Sequence, residues 1–189
     1  EVMEVSQTLQ NAGPTDLTRL SLELAARMIY LGRITMTLDD ARELAQRKLL
    51  DGSGYKKFKE VIIAQGGNAQ VLDRFDMLPN ATGVREVVSP RPGYVSAIDA
   101  ELIGRAATMI GAGRDTKDDQ VDPAVGIILE VKVGQKVDAG GVLCRLYYTQ
   151  DEHVEEGAEL VEDAFRISQH APEERELIKP FLVGTPMAS

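Results

Sequence analysis

Residues 125–143 read Val125-Gly126-Ile127-Ile128-Leu129-Glu130-Val131-Lys132-Val133-Gly134-Gln135-Lys136-Val137-Asp138-Ala139-Gly140-Gly141-Val142-Leu143, and this stretch decides the fold. Up to Val133 the side chains alternate between two faces, as in a β-strand. The apolar face consists of Ile127, Leu129, Val131 and Val133. Gly134-Gln135 suits a two-residue type II′ hairpin turn, and Gly140-Gly141 forms a second turn before a strand at Val142–Tyr148. The pattern therefore predicts a hairpin-rich, barrel-like sheet.

The residues on either side complete a mixed module. Arg85–Ser89 and Tyr94–Ile98 read as short strands on the two sides of a Pro- and Gly-containing turn. Ala100–Ile110 and Asp151–Gln169 have helical spacing. The apolar stripe of the later helix consists of Val154, Ala158, Val161 and Phe165. The polar stretch Arg114–Asp122 has no periodicity, so it is predicted to be a loop.

The N-terminal part of the chain favours helices, and no strand pattern interrupts residues 1–75. A broad apolar stripe at helical spacing predicts a helix buried among other elements. The stripe consists of Leu17, Leu20, Leu24, Met28 and Leu31. Thr37 and Asp40 form a capping box for the next helix, which ends at Gly52. Ser53 begins a further helix that ends at Gly66-Gly67.

The two patterns meet at the Pro-, Asn- and Gly-containing stretch 78–83, where the charge also changes. Residues 1–80 carry a net charge of −1, whereas residues 81–189 carry −8. We therefore predict two domains, a helical segment at residues 1–79 and a C-terminal domain at residues 80–189. The predicted fold class is α+β, with the helical segment followed by a hairpin-rich, barrel-sandwich-like domain.

Composition excludes several classes of function. The chain has 189 residues, 43% hydrophobic and 27% charged, with a formal net charge of −9. Such an acidic chain is a poor general binder of nucleic acid, because phosphate contacts need clustered Lys and Arg. No apolar run approaches the ~18 residues of a membrane span, so no membrane partner is expected. A single cysteine, Cys144, favours a reducing cytoplasm, and the first residue, Glu1, suggests a piece of a longer protein.

The chemistry-bearing residues form no self-contained catalytic site. Seven carboxylates between Asp151 and Asp163 read as a solvated helix face. The remaining candidates are Gly111-Ala112-Gly113-Arg114, Cys144, His153 and His170. The glycine-rich stretch follows a helix, whereas phosphate-binding loops follow a strand. Glu1 and Glu4 share one helical face and offer oxygen to a hard cation, although acids in a first turn also complement the helix dipole.

Several motifs occur together in an order typical of one family. They include Gly93-Tyr94-Val95, Ala112-Gly113-Arg114, Val121-Asp122-Pro123-Ala124-Val125-Gly126 and Val131-Lys132-Val133-Gly134, with Gly13-Pro14-Thr15-Asp16-Leu17 and Ala64-Gln65-Gly66-Gly67 upstream. In this order they resemble pyrimidine-nucleoside phosphorylases, the family that includes thymidine phosphorylase. The resemblance extends to about Ile167. It implies an α/β-hammerhead C-terminal domain, and it makes residues 1–79 the end of the central α/β domain.

The resemblance also implies an activity. These enzymes are homodimeric pentosyltransferases of nucleoside salvage. Phosphate attacks C1′ of a pyrimidine nucleoside, and the free base leaves. The family carries its phosphate loop, its histidine and its base-binding residues in the N-terminal half, and none of these motifs occurs here. We therefore expect no catalytic residue and no organic cofactor in this segment, and no activity of the segment alone.

Two further expectations follow from the family. Its members hold a potassium or calcium ion through backbone carbonyls and the second glutamate of a Glu-Val-x-Glu sequence, which is Glu4 here. Carboxylate and carbonyl oxygens are the ligands that such hard cations prefer. The resemblance also suggests that the loop Arg114–Asp122 faces the cleft between the domains, where closure accompanies catalysis.

Two other classes of function stay open. The pattern from Val131 to Leu143 also resembles biotinyl and lipoyl carrier domains, in which a modified lysine lies at an exposed hairpin tip. Lys132 and Lys136 lie in or beside a predicted strand instead. The chain is alternatively a structural oligomerisation module, because exposed apolar helices favour self-association.

Overall fold

The computed structural model describes residues 1–114, 117, 120–174 and 176–179. Two compact units are present, Glu1–Met77 and Leu78–Glu174. The first is helical and the second combines helices with antiparallel sheets, so the predicted α+β class with an N-terminal helical segment is confirmed. No helix in the described part of the chain is long and apolar enough to cross a membrane.

The helical unit contains four α-helices and two short 3₁₀ segments within its described residues. They are α1 (Val2–Leu9), α2 (Thr15–Leu31), α3 (Leu38–Leu50), α4 (Ser53–Ala64), and the 3₁₀ segments Ala69–Leu72 and Phe75–Met77. The capping box at α3 is confirmed, since the Asp40 backbone N–H donates to Thr37 Oγ1 over 3.1 Å. The buried side of α3 consists of Ala41, Ala45 and Leu49.

The apolar stripe of α2 is not buried as predicted. Leu24 is 51% exposed, Met28 73% and Leu31 66%, whereas Ala26 is fully buried. With 3.6 residues per turn, the stripe lies on the side of the helix opposite Ala26. The helix packs on α3 through its Ala26 side, and Leu24, Met28 and Leu31 stay exposed.

The second unit contains two three-stranded antiparallel sheets and two helices. Its elements are β1 (Gly83–Val88), β2 (Gly93–Ile98), α5 (Ala100–Ala107), β3 (Gly126–Leu129), β4 (Lys136–Val137), β5 (Val142–Tyr148), α6 (Val154–Ala164) and β6 (Phe165–Ser168). The strand orders are β1-β5-β3 and β4-β2-β6. The predicted strand Val142–Tyr148 is confirmed in full.

The expectation of a hairpin-rich sheet is wrong, because no two consecutive strands of the described chain pair with each other. Gly134 does adopt the left-handed backbone that the predicted turn needs, with φ 94°. However, its N–H donates to the Val95 carbonyl over 2.8 Å, and the Val95 N–H donates to the Gln135 carbonyl over 2.9 Å. The backbone of this turn therefore bonds to β2 and not to its neighbour in sequence, β3. The turn carries the chain from one sheet to the other.

The last predicted helix is too long at both ends. The observed helix, α6, spans only Val154–Ala164. Phe165, which the sequence pattern assigned to the apolar stripe of the helix, begins β6. Phe165 pairs with Ile98, and Ile167 pairs with Val95, so pairing with β2 overrides the helical spacing. The predicted strand through Val133 is also shorter, because β3 ends at Leu129.

The core of the second unit lies between its sheets and helices. Its fully buried members include Val87, Val95, Cys144, Leu146 and Val161. Strands β1, β2, β4, β5 and β6 and helices α5 and α6 all contribute side chains to this core. Ile110 belongs to it and Val125 packs against it, so the core holds a residue near each end of the segment between α5 and β3.

Candidate functional site

The predicted cation ligand, Glu4, lies in the first turn of α1 with an exposed side chain. The Glu1 carbonyl accepts the Val5 N–H over 2.9 Å as part of the helix. In the described part of the chain, no three His, Cys, Asp or Glu side chains come together to hold a metal ion. Because Ca²⁺ takes about 6–8 oxygen ligands, the described surroundings of Glu4 do not form a complete site, and its role stays a prediction.

The acidic run at α6 is a solvated face, as interpreted from the sequence. All seven carboxylates between Asp151 and Asp163 are exposed. Glu155 pairs with Arg85 of β1 at 3.0 Å, and the hydrogen bond from this guanidinium lowers the pKa of Glu155. His153 and His170 are exposed as well. These groups therefore form no catalytic constellation.

Cys144 is fully buried in β5, as expected for a small apolar residue. Burial raises the pKa of its thiol to about 12, and the nearby charge of Glu130 adds to the effect. Since the thiolate is the nucleophile, this cysteine is chemically inert near neutral pH.

The lysines considered for a carrier domain do not occupy a protruding hairpin tip. Lys136 lies in β4 and pairs with Tyr94 of β2. The Lys132 backbone N–H donates to Gln135 Oε1 over 2.7 Å inside the turn between the sheets. The turn backbone is bound to β2, so Lys132 and Lys136 lie beside a sheet and not at the tip of a free hairpin.

The glycine-rich stretch after α5 is the C-terminal end of a helix, as its sequence position indicated. Thr108–Ala112 ends the helix in a wide turn whose backbone is not helical at Gly111. Gly111 has φ 102° within this turn, a conformation that side chains other than glycine rarely adopt. Its carbonyl accepts the backbone N–H of Asp122 over 3.0 Å. The two ends of the intervening loop are thereby joined.

Asp122 ties this junction to the end of β5. Its carboxylate accepts a hydrogen bond from Thr149 Oγ1 at 2.6 Å and another from the Ala124 N–H at 2.9 Å. The first of these lowers the pKa of Asp122 most, and the second adds to the shift. Thr149 is held in turn, because Thr82 Oγ1 donates to its carbonyl over 3.0 Å. We call the contacts among Gly111, Asp122, Ala124 and Thr149 the loop clamp.

Sequence reasoning placed Asp122 in a motif without giving it this role. An Asp-Pro-Ala sequence favours a turn in which the carboxylate binds the N–H two residues later, so half of the clamp was readable. The bond to Thr149 spans 27 positions and needs the fold. Residues 115, 116, 118 and 119 of the predicted loop Arg114–Asp122 lie outside the described residues, so its placement toward a cleft stays a prediction.

Removing the Thr149 hydroxyl should raise the pKa of Asp122 toward its ordinary value of 3.8, because that hydrogen bond favours the carboxylate. A carboxyl group with a lowered folded pKa stabilises the fold above its unfolded pKa, and this stabilisation is lost as the pH falls through the folded pKa. The stability difference between wild type and Thr149→Val should therefore be complete above about pH 5 and shrink in more acidic solution.

Carbon-detected NMR titration of the Asp122 carboxyl group measures this effect directly. Thr82→Val is the matched control, since the Thr82 hydroxyl donates to the Tyr148 and Thr149 carbonyls and not to Asp122. The clamp assignment is wrong if wild type and Thr149→Val give the same Asp122 titration curve.

A polar cleft of about 460 Å³ opens in the helical unit, where Asn11, Arg19, Glu23 and Arg42 line it. Arg42 binds Glu23 through two hydrogen bonds of 2.8 and 2.9 Å, and it also pairs with Asp39 at 2.8 Å. The bond from Arg42 lowers the pKa of Glu23. The Arg42 charge is therefore already balanced by carboxylates of its own unit.

The chain is similar to curated pyrimidine-nucleoside phosphorylases along most of its length. It is 41% identical over 171 residues to the enzyme of Bacillus subtilis, an alignment that covers 90% of this chain and 39% of the relative. It is 39% identical over 168 residues to that of Geobacillus stearothermophilus, covering 89% of this chain and 39% of the relative. For the Staphylococcus haemolyticus enzyme, identity is 37% over 171 residues, with 90% and 39% covered.

The chain thus spans about two fifths of the length of these relatives. A family model described as the pyrimidine nucleoside phosphorylase C-terminal domain matches residues 94–168. These residues run from β2 to the end of β6 and include the loop clamp. Residues 94–168 thus match a pyrimidine nucleoside phosphorylase C-terminal domain, and about nine tenths of the chain is similar to a segment of such enzymes.

Proposed function

We propose that this chain acts as the C-terminal part of a pyrimidine-nucleoside phosphorylase. The complete enzyme would convert phosphate and a pyrimidine nucleoside into the free base and (deoxy)ribose 1-phosphate. The observation that carries the proposal is the 41% identity over 90% of the chain, together with the matching C-terminal domain. We include thymidine among the candidate substrates, on the family resemblance of the motifs.

The reaction is a group transfer from nitrogen to oxygen. A phosphate oxygen forms a bond to C1′ of the sugar while the bond from C1′ to the pyrimidine nitrogen breaks, and the base leaves with the electron pair. This chemistry needs donors around phosphate and positive or polar groups near the leaving base. In the chain described here, Arg42, Arg85 and Arg145 are each paired with carboxylates, which supports a non-catalytic role for these cations.

The role proposed for this segment is to supply scaffold and a surface for domain closure. The support is the loop clamp, which joins Gly111 and Asp122 on the two sides of this loop and ties Asp122 to Thr149. In the complete enzyme we propose that this loop faces the substrate cleft. We also propose the α/β-hammerhead architecture for residues 80–189, supported by two small antiparallel sheets with α5 and α6 beside them.

We further propose a homodimeric, cytoplasmic enzyme without an organic cofactor. The sequence has a single cysteine, Cys144, and so no disulfide within the chain, which agrees with a reducing compartment. A potassium or calcium ion near Glu4 would need most of its oxygen ligands from residues other than the described neighbours of Glu4, so no step of the reaction is assigned to it here.

The test is phosphate-dependent release of uracil and thymine from uridine and thymidine. Two samples are compared, this chain alone and the complete enzyme that contains it. We expect turnover by the complete enzyme and none above background by this chain. A third sample, the complete enzyme with the loop Arg114–Asp122 shortened, should turn over more slowly. No phosphorolysis by the complete enzyme would contradict the proposed function, and turnover by this chain alone would contradict the absence of catalytic residues.

A further inference from the structure

The sheet β4-β2-β6 has one apolar face and one polar face. Each strand buries an apolar side chain in the core, namely Val137 of β4, Val95 of β2 and Ile167 of β6. Successive side chains of a strand point to opposite faces, so their neighbours Tyr94, Lys136 and Arg166 lie on the outer face. Lys136 and Arg166 are exposed, and Tyr94 is partly exposed. We call these three residues the basic face.

Strand pairing brings the basic face together from distant parts of the sequence. Tyr94 lies on the central strand and pairs with Lys136 on one side and with Ser168 on the other. Directly paired side chains have Cβ atoms about 4.5–5.5 Å apart, and diagonal neighbours are about 7–8 Å apart. Arg166 precedes Ser168 by two positions, so it is a diagonal neighbour of Tyr94. An aromatic ring and two cations therefore share one small area of the sheet.

The two cations lack a carboxylate partner among the residues that the structure describes. Strands β2, β4 and β6 contain no Asp or Glu, and no ion pair of the described chain includes Lys136 or Arg166. The other sheet of this unit differs, because its Arg145 pairs with Glu86 at 3.0 Å and also with Glu130. Both cations of the basic face therefore keep their N–H donors available to an anion.

The surroundings of Tyr94 leave room for a planar ligand. Its neighbour on β6 is Ser168, and the neighbour of Arg166 on β2 is Ala97, so both paired positions carry small side chains. Arg91 adds a third cation beside β6, where its Nη2 donates to the Ile167 carbonyl over 2.8 Å. A guanidinium has five N–H donors, so this bond leaves most of them unused.

We propose that the basic face binds a nucleotide, with the base stacked on Tyr94 and the phosphate held by Lys136 and Arg166. Nucleobases stack on aromatic side chains whatever the base, since every base has a π-face. Lys and Arg bind phosphate through charge-assisted hydrogen bonds. An acidic peptide would match the cations but would leave the ring without a matching group, so a nucleotide fits the basic face better.

A single nucleotide is compatible with the acidic composition of the chain. It needs only these few contacts, whereas general nucleic-acid binding needs many phosphate contacts from clustered Lys and Arg. Carboxylates elsewhere in the unit act on a bound anion across solvent, where salt screens interactions beyond about 8 Å at physiological ionic strength. The proposal does not rest on the proposed phosphorolysis.

The experiment adds adenosine monophosphate to this chain at millimolar concentration and follows the backbone amides by NMR. Adenosine, which lacks the phosphate, and inorganic phosphate, which lacks the base, are compared at the same ionic strength. We expect adenosine monophosphate to shift the amides of β2, β4 and β6. It should bind at least about fivefold more tightly than either part, because each part lacks either the stacking or the charge-assisted hydrogen bonds.

Substitutions separate the two contacts. Lys136→Gln with Arg166→Gln should weaken binding of adenosine monophosphate at least about tenfold, because the charge-assisted hydrogen bonds are lost. Tyr94→Leu should weaken it at least about fivefold and leave the binding of inorganic phosphate unchanged, whereas Tyr94→Phe keeps the ring and should bind like wild type. Arg145→Gln is the matched control, since carboxylates already pair with Arg145, and it should leave binding unchanged.

Three outcomes would overturn the proposal. The first is that adenosine monophosphate leaves the amides of β2, β4 and β6 unshifted. The second is that inorganic phosphate binds as tightly as the nucleotide and Tyr94→Leu has no effect, which would leave an anion site without base recognition. The third is that a glutamate-rich peptide binds this face more tightly than the nucleotide does, since the partner would then be an acidic protein segment. The assay measures binding and not turnover, so its failure is distinct from failure of the proposed activity.

Discussion

Gly93→Ala is expected to destabilise the second unit by about 3 kcal/mol, at the upper end of the usual cost of inserting a methyl group into a packed site. Gly93 begins β2, the central strand of its sheet. A Cβ at this position would lie 2.4 Å from the Ser168 carbonyl oxygen and 2.7 Å from Ile167 Cγ2. Because the closer atom belongs to the backbone of β6, a change of rotamer cannot relieve the clash, and β6 must move away from β2.

The loss should be confined to the unit that contains β2. Native-state hydrogen exchange of backbone amides measures the free energy of opening separately for each element. The amides of β2 and β6 should lose protection together, while those of α3 keep theirs.

Gly104→Ala is the matched control for this substitution. Gly104 lies inside α5, and a Cβ there would meet no atom within 4 Å. Alanine is favoured over glycine in a helix interior by about 1 kcal/mol, so this variant should stabilise the unit. If Gly93→Ala were as mild as Gly104→Ala, the close approach of β2 and β6 would be wrong.

The elements that sequence reasoning predicted well are those determined by local interactions. The capping box joins Thr37 and Asp40, which are three positions apart, and it begins α3 where expected. The strand Val142–Tyr148 was bounded by glycines on one side and by polar residues on the other. In both cases the information lies within a few residues of the element.

Strand pairing was not readable in the same way. Gly134 has the positive φ that a hairpin turn would need, but β2, about 40 residues upstream, provides the hydrogen-bond partner of this turn. Phe165 fits a helical stripe equally well, and pairing with Ile98 decides that it begins a strand. Distant backbone partners determine these choices, and a periodicity within one segment does not contain them.

The features of the candidate site also divide into those that local sequence predicts and those that depend on distant partners. The exposed acidic run and the inert Cys144 follow from composition and local pattern. The bond of Asp122 to Thr149 joins residues from different elements, so a sequence motif gives only its Asx-turn half. The stripe of α2 was recognised, but periodicity indicates that a face is apolar without saying which polypeptide covers it.

Leu146→Ala is expected to cost about 2–5 kcal/mol of unfolding free energy, because it deletes a buried side chain and leaves a cavity. Leu146 is fully buried in β5, the central strand of its sheet, and pairs with Arg85 of β1 and Ile127 of β3. Its Cδ2 also lies 3.7 Å from the position that a Cβ would take at Gly157 of α6. One side chain therefore joins the three strands to the helix.

The matched control is Ile128→Ala on the neighbouring strand. Ile128 pairs with Arg145 and is 47% exposed, so its side chain lies on the outer face of the same sheet. Losing a half-exposed side chain should cost less than about 1 kcal/mol, since little area is removed from contact with other atoms. The two variants are compared by their unfolding free energies in urea and, in a second measurement, by hydrogen exchange of the β5 amides. Similar losses for both would mean that the inner face of this sheet is not the core, and the placement of α6 against β5 would have to be abandoned.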